Sequence, residues 1–247
     1  MTVHTQVLPV PSAGYRLGRH VEHDSRSRDY TYALTAPVIE RDVLWPMTKP
    51  VLNQGNYNSC VGNTFTQICN TQLFTSVRTA KNVSWFTEGF ALQLYSRATH
   101  DDGMSQYYYP PNDDGSTALG GAKAAQDLGL IDRYEHTFTF DAFRAALQRQ
   151  PVCVGTLWTQ DMFNPDPVSG LLTVNLGDPN DPNNTNIAGG HEYLALGLDY
   201  THQWVIFLTS WGPSFGLDGR FKISFADFAT LLAAEGDVVV PHGIGMP

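Results

Sequence analysis

The sequence predicts an α+β protein of two lobes, helical in its N-terminal half and antiparallel β in its C-terminal half, with the reactive groups where the halves meet. Two observations predict it. Apolar residues recur at three- and four-residue steps from Cys60 onward, and beyond Pro151 the chain breaks into short β-branched and aromatic runs bounded by Gly, Asp or Pro. Helices first and strands second, without internal repeats, make α+β rather than alternating α/β. A length of 247 residues suits one large domain or two modest lobes sharing a core.

Composition narrows the function classes. There are 15 Lys and Arg against 24 Asp and Glu, a net charge of −9, and no basic run. Nucleic-acid binding needs concentrated positive charge to release counterions, so that partner is not expected. No apolar stretch approaches the roughly 18 residues of a spanning helix, so neither is a membrane partner. The N-terminus lacks the apolar segment of a Sec signal. Cys60, Cys69 and Cys153 are too few, and odd in number, for a disulfide framework, which implies reduced thiols.

Residues 1–45 show no sustained periodicity and read as an extended arm, lying over the domain or tying it to a partner. Residues 46–247 make the domain, helical to about 140 and β from about 141. Val61, Phe65, Ile68, Cys69, Leu73 and Val77 form the stripe of a first helix with one buried face, and Ser59 is placed as its N-cap. Ser84 is expected to cap a second helix reaching about Arg97. After a loop holding Tyr107, Tyr108 and Tyr109, a third helix runs over about 117–128 and a fourth over 142–150, which Pro151 stops. Strands are expected at 152–157, 192–199, 203–209 and 219–225. The polar 176–186 loop holds Asp178 and Asp181 without a calcium-ligand spacing, so no metal or other cofactor is expected.

Four places carry chemistry. A thiol in the first turn of a helix, as Cys60 is predicted to be, meets unpaired N–H groups and the positive end of the dipole, both of which favour the nucleophilic thiolate. Gln54, six residues upstream in a turn-rich loop, can return its amide beside that thiol as an oxyanion donor. His191 follows Gly189 and Gly190 at a strand start, where the backbone can be approached closely. His191-Glu192 is no zinc-peptidase motif, because Ala195 stands where a second His is needed. The stretch from Trp204 through Ser210-Trp211-Gly212 to Ile223 is the most specific in the chain.

Together these segments resemble the papain family of cysteine peptidases, in the form found in bacterial and phage sequences. The chain supplies Arg28-Asp29-Tyr30, Gln54-Gly55, Ser59-Cys60, Gly189-Gly190-His191, Ser210-Trp211-Gly212, Gly216 and Gly219 in the family's order over about residues 28–235. The separation of Cys60 and His191, 131 residues, falls in the family's range. The resemblance implies a helical lobe and a β-barrel-like lobe with the active site between them. It implies Cys60 as nucleophile, His191 as base then acid, and Gln54 as oxyanion donor. Gly115, Ser116 and Gly190 would meet the substrate backbone, and Trp211 would cover the histidine. Peptide or protein substrates follow, as does a bacterial cytoplasmic or virion-associated location.

The chain departs from the family in places. Thr209 stands where an Asn usually orients the histidine; its hydroxyl can accept from the ring but reaches less far. Glu192 replaces a small residue and, if near the ring, would favour imidazolium. The arm is too short, and wrongly patterned, for the family's helical inhibitory pro-segment. Two alternatives to a peptidase stay open: a papain-fold component of weak or lost activity, for example in a virion docked through residues 1–45, and a cell-wall endopeptidase.

Overall fold

The structure, a computed structural model of the chain, describes residues 3–8, 14–34, 37–47, 51–103, 108–178, 181 and 184–244. Tyr107 of the predicted aromatic loop and parts of the 176–186 loop lie outside the described residues.

The first helix, α1 (Cys60–Cys69), is shorter and more deeply placed than its stripe predicts. It ends where Asn70 turns its side chain to Phe86, accepting from its N–H and donating to its carbonyl at 2.8 Å each. The Arg78 guanidinium takes the freed carbonyls of Cys69 and Thr71. A 3-10 turn (Gln72–Phe74) and a short α2 (Thr75–Ala80) carry the rest of the stripe. All ten α1 residues are buried, not one face alone. Some of the buried polar ones find partners, with Gln67 accepting from Leu52 N–H and donating to Thr209 O and Thr66 donating to Gly62 O, while Thr64 Oγ1 has none among the described residues. Ser59 holds the N-cap position, yet its hydroxyl serves Asn63 Nδ2 rather than a helix N–H.

The second helix, α3 (Glu88–Asp101), begins after Thr87, so Ser84 is not its cap. Helix α4 (Ala118–Asp127) is capped by Thr117 and α5 (Phe140–Leu147) by Thr139, each accepting from the N–H three residues on. Helix α6 (Phe225–Ala233) starts at Ser224, a helix the sequence reading did not foresee.

Strands β1 (Val3–Gln6), β2 (Arg19–Asp24) and β4 (Ser116–Thr117) form a small sheet in which β2 pairs antiparallel with β1 and parallel with β4. The large sheet runs β5 (Ile131–Thr137), β10 (Asp237–Gly243), β6 (Val152–Thr159), β7 (Ile187–Asp199), β8 (Trp204–Leu208), β9 (Arg220–Ser224), with β3 (Val43–Leu44) added to β7. All its pairings are antiparallel, and it stays an open path rather than a closed ring.

Alternation along the central strands divides the core in two. Cys153, Leu194, Leu196 and Val239 face α1, α3 and α4, packing on Phe65, Ile68, Leu94 and Ala122. Val154, Tyr193, Ala195 and Phe207 face α5 and α6, packing on Phe143, Leu147, Phe228 and Leu231. Strand β7 is thus buried on both faces and lies directly against α1. No helix among the described residues is long and apolar enough to cross a membrane.

Candidate active site

Backbone pairing assembles the site where α1 meets β7. The loop before α1 is stitched to the end of β8: Gln54 N–H donates to Ser210 O (2.8 Å), and Gly212 N–H donates to Leu52 O (3.0 Å). This sets Gln54 against Ser210, whose hydroxyl donates to Gln54 Oε1 at 2.5 Å. With its oxygen held, the Gln54 amide turns its N–H groups to Tyr57 O (2.8 Å) and Leu17 O (3.3 Å). The predicted oxyanion donor therefore already grips a peptide carbonyl. Ser210, which aims it, enters the sequence reading only as part of the Ser210-Trp211-Gly212 motif, without a role of its own.

Cys60 is the first residue of α1 and is wholly enclosed. Burial pushes its thiol far above the ordinary range; N–H groups of Glu192 and Val61 pull the other way, while the Glu192 carboxylate adds to burial. The bond from Glu192 N–H places the sulfur beside the residue that follows His191. Cys69 and Cys153 are free and buried too, and burial raises Cys69 to about 12.

The His191 ring lies flat on Trp211, centroids 4.3 Å apart and planes 14° from parallel, with Trp158 edge-on at 5.1 Å. Its Nε2 sits 3.3 Å from Thr209 Oγ1. The Thr209 hydroxyl thus lies at the long end of hydrogen-bond distance from the ring. Nδ1 is buried without a hydrogen-bond partner among the described residues, and burial alone drives the imidazole down to about 3. Glu192 exerts no influence on the ring: neighbours on a strand face opposite ways, and its carboxylate acts on Cys60 and Cys153 instead. The expectation of a favoured imidazolium is corrected accordingly.

What encloses the site is the arm. Residues 16–20 run through the cleft: Trp211 Nε1–H donates to Arg16 O (2.7 Å), Gln54 to Leu17 O, Gly18 N–H to Gly190 O (3.1 Å), and Ser116 N–H to Gly18 O (2.8 Å). Tyr15 stacks on the outer face of Trp211 at 4.7 Å. The approach is close enough to demand glycine on both sides. A Cβ on Gly18 would lie 2.1 Å from Asn58 O, and one on Gly115 would lie 2.2 Å from Gly18 O. Gly115, Ser116, Gly190 and Trp211, expected to meet substrate, all meet this strap. It is extended and paired through its backbone, so no side-chain period announced it. Among the described residues no group of three or more His, Cys, Asp or Glu could hold a metal ion.

A helical layer on an antiparallel sheet, with Cys60 at the start of α1 and His191 on β7, has the two-lobed fold of papain-like cysteine proteases, and no hydrogen bond joins the Cys60 thiol to His191 Nδ1. Among solved structures the chain is similar to xylellain, a cysteine protease from Xylella fastidiosa, at 16% identity over 99% of each chain with a TM-score of 0.68. It is similar also to the ragweed pollen cysteine protease Amb a 11 in its proform (16% identity, 87% of this chain and 70% of that one, TM-score 0.60). A third is digestive procathepsin L 3 of Tenebrio molitor (15% identity, 86% and 73%, TM-score 0.55). No protein-family model and no curated protein matches the sequence.

Proposed function

We propose that the chain is a thiol peptidase held latent by its own N-terminal arm. One observation carries the reading: a peptide carbonyl, Leu17 O, is held by the Gln54 amide in the cleft that also buries Cys60 and His191. The strap sits as a peptide would. Once it leaves, solvent reaches both groups, and the burial that keeps thiol and imidazole neutral is relieved.

Cys60 Sγ then attacks a substrate carbonyl carbon, and its proton passes to His191. The oxyanion is met by the Gln54 amide and the Cys60 N–H. His191 returns the proton to the departing amine as the C–N bond breaks, leaving an acyl-thioester. Water, deprotonated by His191, cleaves the thioester and restores the thiol. Thr209 orients the ring, and Trp211 shields that contact from water. The order of motifs favours a bacterial or phage enzyme. An arm that docks the protein in a virion draws less support, since residues 16–24 are committed to the protein's own cleft and small sheet.

The test uses Gly18→Ala in the full chain, which adds a Cβ where Asn58 O stands and so expels the strap. Cleavage of a mixed peptide library should appear with this variant, exceed that of the parent, and vanish when Cys60→Ala is added. Iodoacetamide should label Cys60 at least about tenfold faster than in the parent. A strap-released chain that yields no thiol-dependent product, and labels Cys60 no faster than Cys69 or Cys153, would overturn the reading.

A further inference from the structure

On its helical side the cleft has two walls, and neither belongs to a helix or a long strand. One is the loop that leads into Cys60 through Asn58 and Ser59; the other is the 113–116 loop, which carries Gly115 and Ser116. The strap is threaded between them. A Cβ on Gly18 would lie 2.1 Å from Asn58 O, and one on Gly115 would lie 2.2 Å from Gly18 O. Connecting loops are the most mobile parts of a fold, so a slot this narrow needs something that holds its width.

Asp113 joins the two walls. Its Oδ1 accepts from Asn58 N–H (3.0 Å) and from the Tyr95 hydroxyl (2.9 Å), while Oδ2 lies 3.2 Å from the same N–H. The Asn58 side-chain amide donates in return to the Asp113 backbone carbonyl. Tyr95, a fully buried residue of α3, passes the connection on, its oxygen accepting from Gly115 N–H at 3.0 Å. A phenol has one proton to give and lone pairs to spare, so donating to Asp113 and accepting from Gly115 is a consistent set. Burial raises the Asp113 carboxyl, and the bonds from Asn58 and Tyr95 oppose it. The clasp does not hang on that balance, because Oδ1 accepts from both donors whether or not Oδ2 carries a proton. Asn58 stands two residues before the thiol, and Ser116, next to Gly115, gives its N–H to Gly18 O of the strap (2.8 Å). One side chain thus fixes the spacing between the nucleophile loop and a backbone donor that grips a bound peptide.

We propose that Asp113 is a positioning residue of the peptidase: through Asn58 and Tyr95 it sets the slot in which a peptide backbone, the strap's or a substrate's, is bound. Its part in turnover rests on the peptidase reading; its hold on the strap does not. The reacting groups are placed by other means, Cys60 by α1 and His191 by β7 and Trp211. The clasp therefore acts on binding rather than on the chemical step.

Two measurements on the full chain test it. In the Gly18→Ala background, Asp113→Ala should raise KM for peptide cleavage about tenfold, the scale of one or two lost hydrogen bonds, and leave kcat within about twofold. Tyr95→Phe removes one oxygen from a buried ring and should do the same by freeing Gly115. Asp113→Asn keeps an acceptor oxygen and should return KM to near the parent value. An unchanged KM in Asp113→Ala and Tyr95→Phe, a fall in kcat as large as the rise in KM, or an Asn variant no better than Ala overturns the clasp. The second measurement needs no catalysis. In the otherwise unaltered chain, with the strap in place, Asp113→Ala should speed iodoacetamide labelling of Cys60 at least about fivefold more than that of Cys69 or Cys153. All three thiols are buried, so a merely structural loss would speed them together. Selective labelling sustains the clasp even if no peptide is ever cut; equal acceleration, or none, overturns it even if cleavage is found.

Discussion

The contact between His191 and Thr209 sets how well the imidazole is held. With the Nε2 proton on the hydroxyl at 3.3 Å, Nδ1 keeps its lone pair and can act as the base. Removing the hydroxyl leaves the ring positioned by stacking on Trp211 alone. In the strap-released chain, Thr209→Val should lower kcat on peptides by about tenfold to a hundredfold with little change in KM, the scale of a misplaced catalytic group. Thr209→Asn, whose longer amide can also accept from Nε2, should keep kcat at or above the parent value. Equal kcat for Val and Thr would show that Trp211 suffices.

A second histidine carries a pH dependence. His20 accepts from Leu8 N–H at Nδ1 (3.0 Å) and donates from Nε2 to Asp114 O (2.5 Å), so the neutral ring ties the strap to itself and to the domain. Burial lowers its pKa; the Asp114 carbonyl and charge oppose this, and Arg19 adds to it. A base with a depressed folded value supports the fold above its unfolded value of 6.5 and loses that support as pH falls below it. Imidazolium cannot accept from Leu8. Amide exchange at Leu8 and Gly18, corrected for intrinsic rates, should therefore speed up as pH falls below 6.5; unchanged protection would count against it. Cys60, His191 and Gln54 became candidates from the sequence because each sits in a short motif and the motifs fall in the family's order, although each alone is weak. Asn58, Tyr95 and Asp113 come from three separate segments and acquire meaning only where the loops before α1 and β4 meet α3.

Among the elements, α1 shows what periodicity can and cannot tell. The stripe from Val61 to Val77 continues in register, yet the helix stops at Cys69, where Arg78 takes the Cys69 and Thr71 carbonyls and the Asn70 side chain pairs with the backbone of Phe86. Such a stop depends on long-range side-chain bonds and leaves no local breaker residue. Arg78→Met keeps the apolar stem but strands the Thr71 carbonyl; it should cost about 1.5–3 kcal/mol in denaturant unfolding, as expected for hydrogen bonds from a charged donor. Strand β5 was missed for a different reason. It lies at the sheet edge, exposes Asp132 and Arg133, and so reads as polar chain. Strands β6 and β7 were legible because burial on both faces makes them apolar runs, and β8 and β9 because buried and half-buried residues alternate along them.

For the whole molecule, the order of helices then sheet was legible in the periodicity of the two halves, and how closely the layers approach was not. Helix α1 rests on α3 through Gly62, where a Cβ would stand 2.3 Å from Ala91 O. Gly62→Ala should force the two helices apart and cost about 1–3 kcal/mol, read as a lower unfolding midpoint with an unchanged denaturant slope. The strap's covalent attachment has a last consequence. An inhibitor joined to its target is present at an effective concentration of about millimolar for short flexible links, however dilute the protein. On the reading proposed above, dilution does not release the strap, and a competing peptide has to approach that concentration to displace it. Loosening of residues 16–20 is then an event within single molecules, whose rate is independent of how much protein is present.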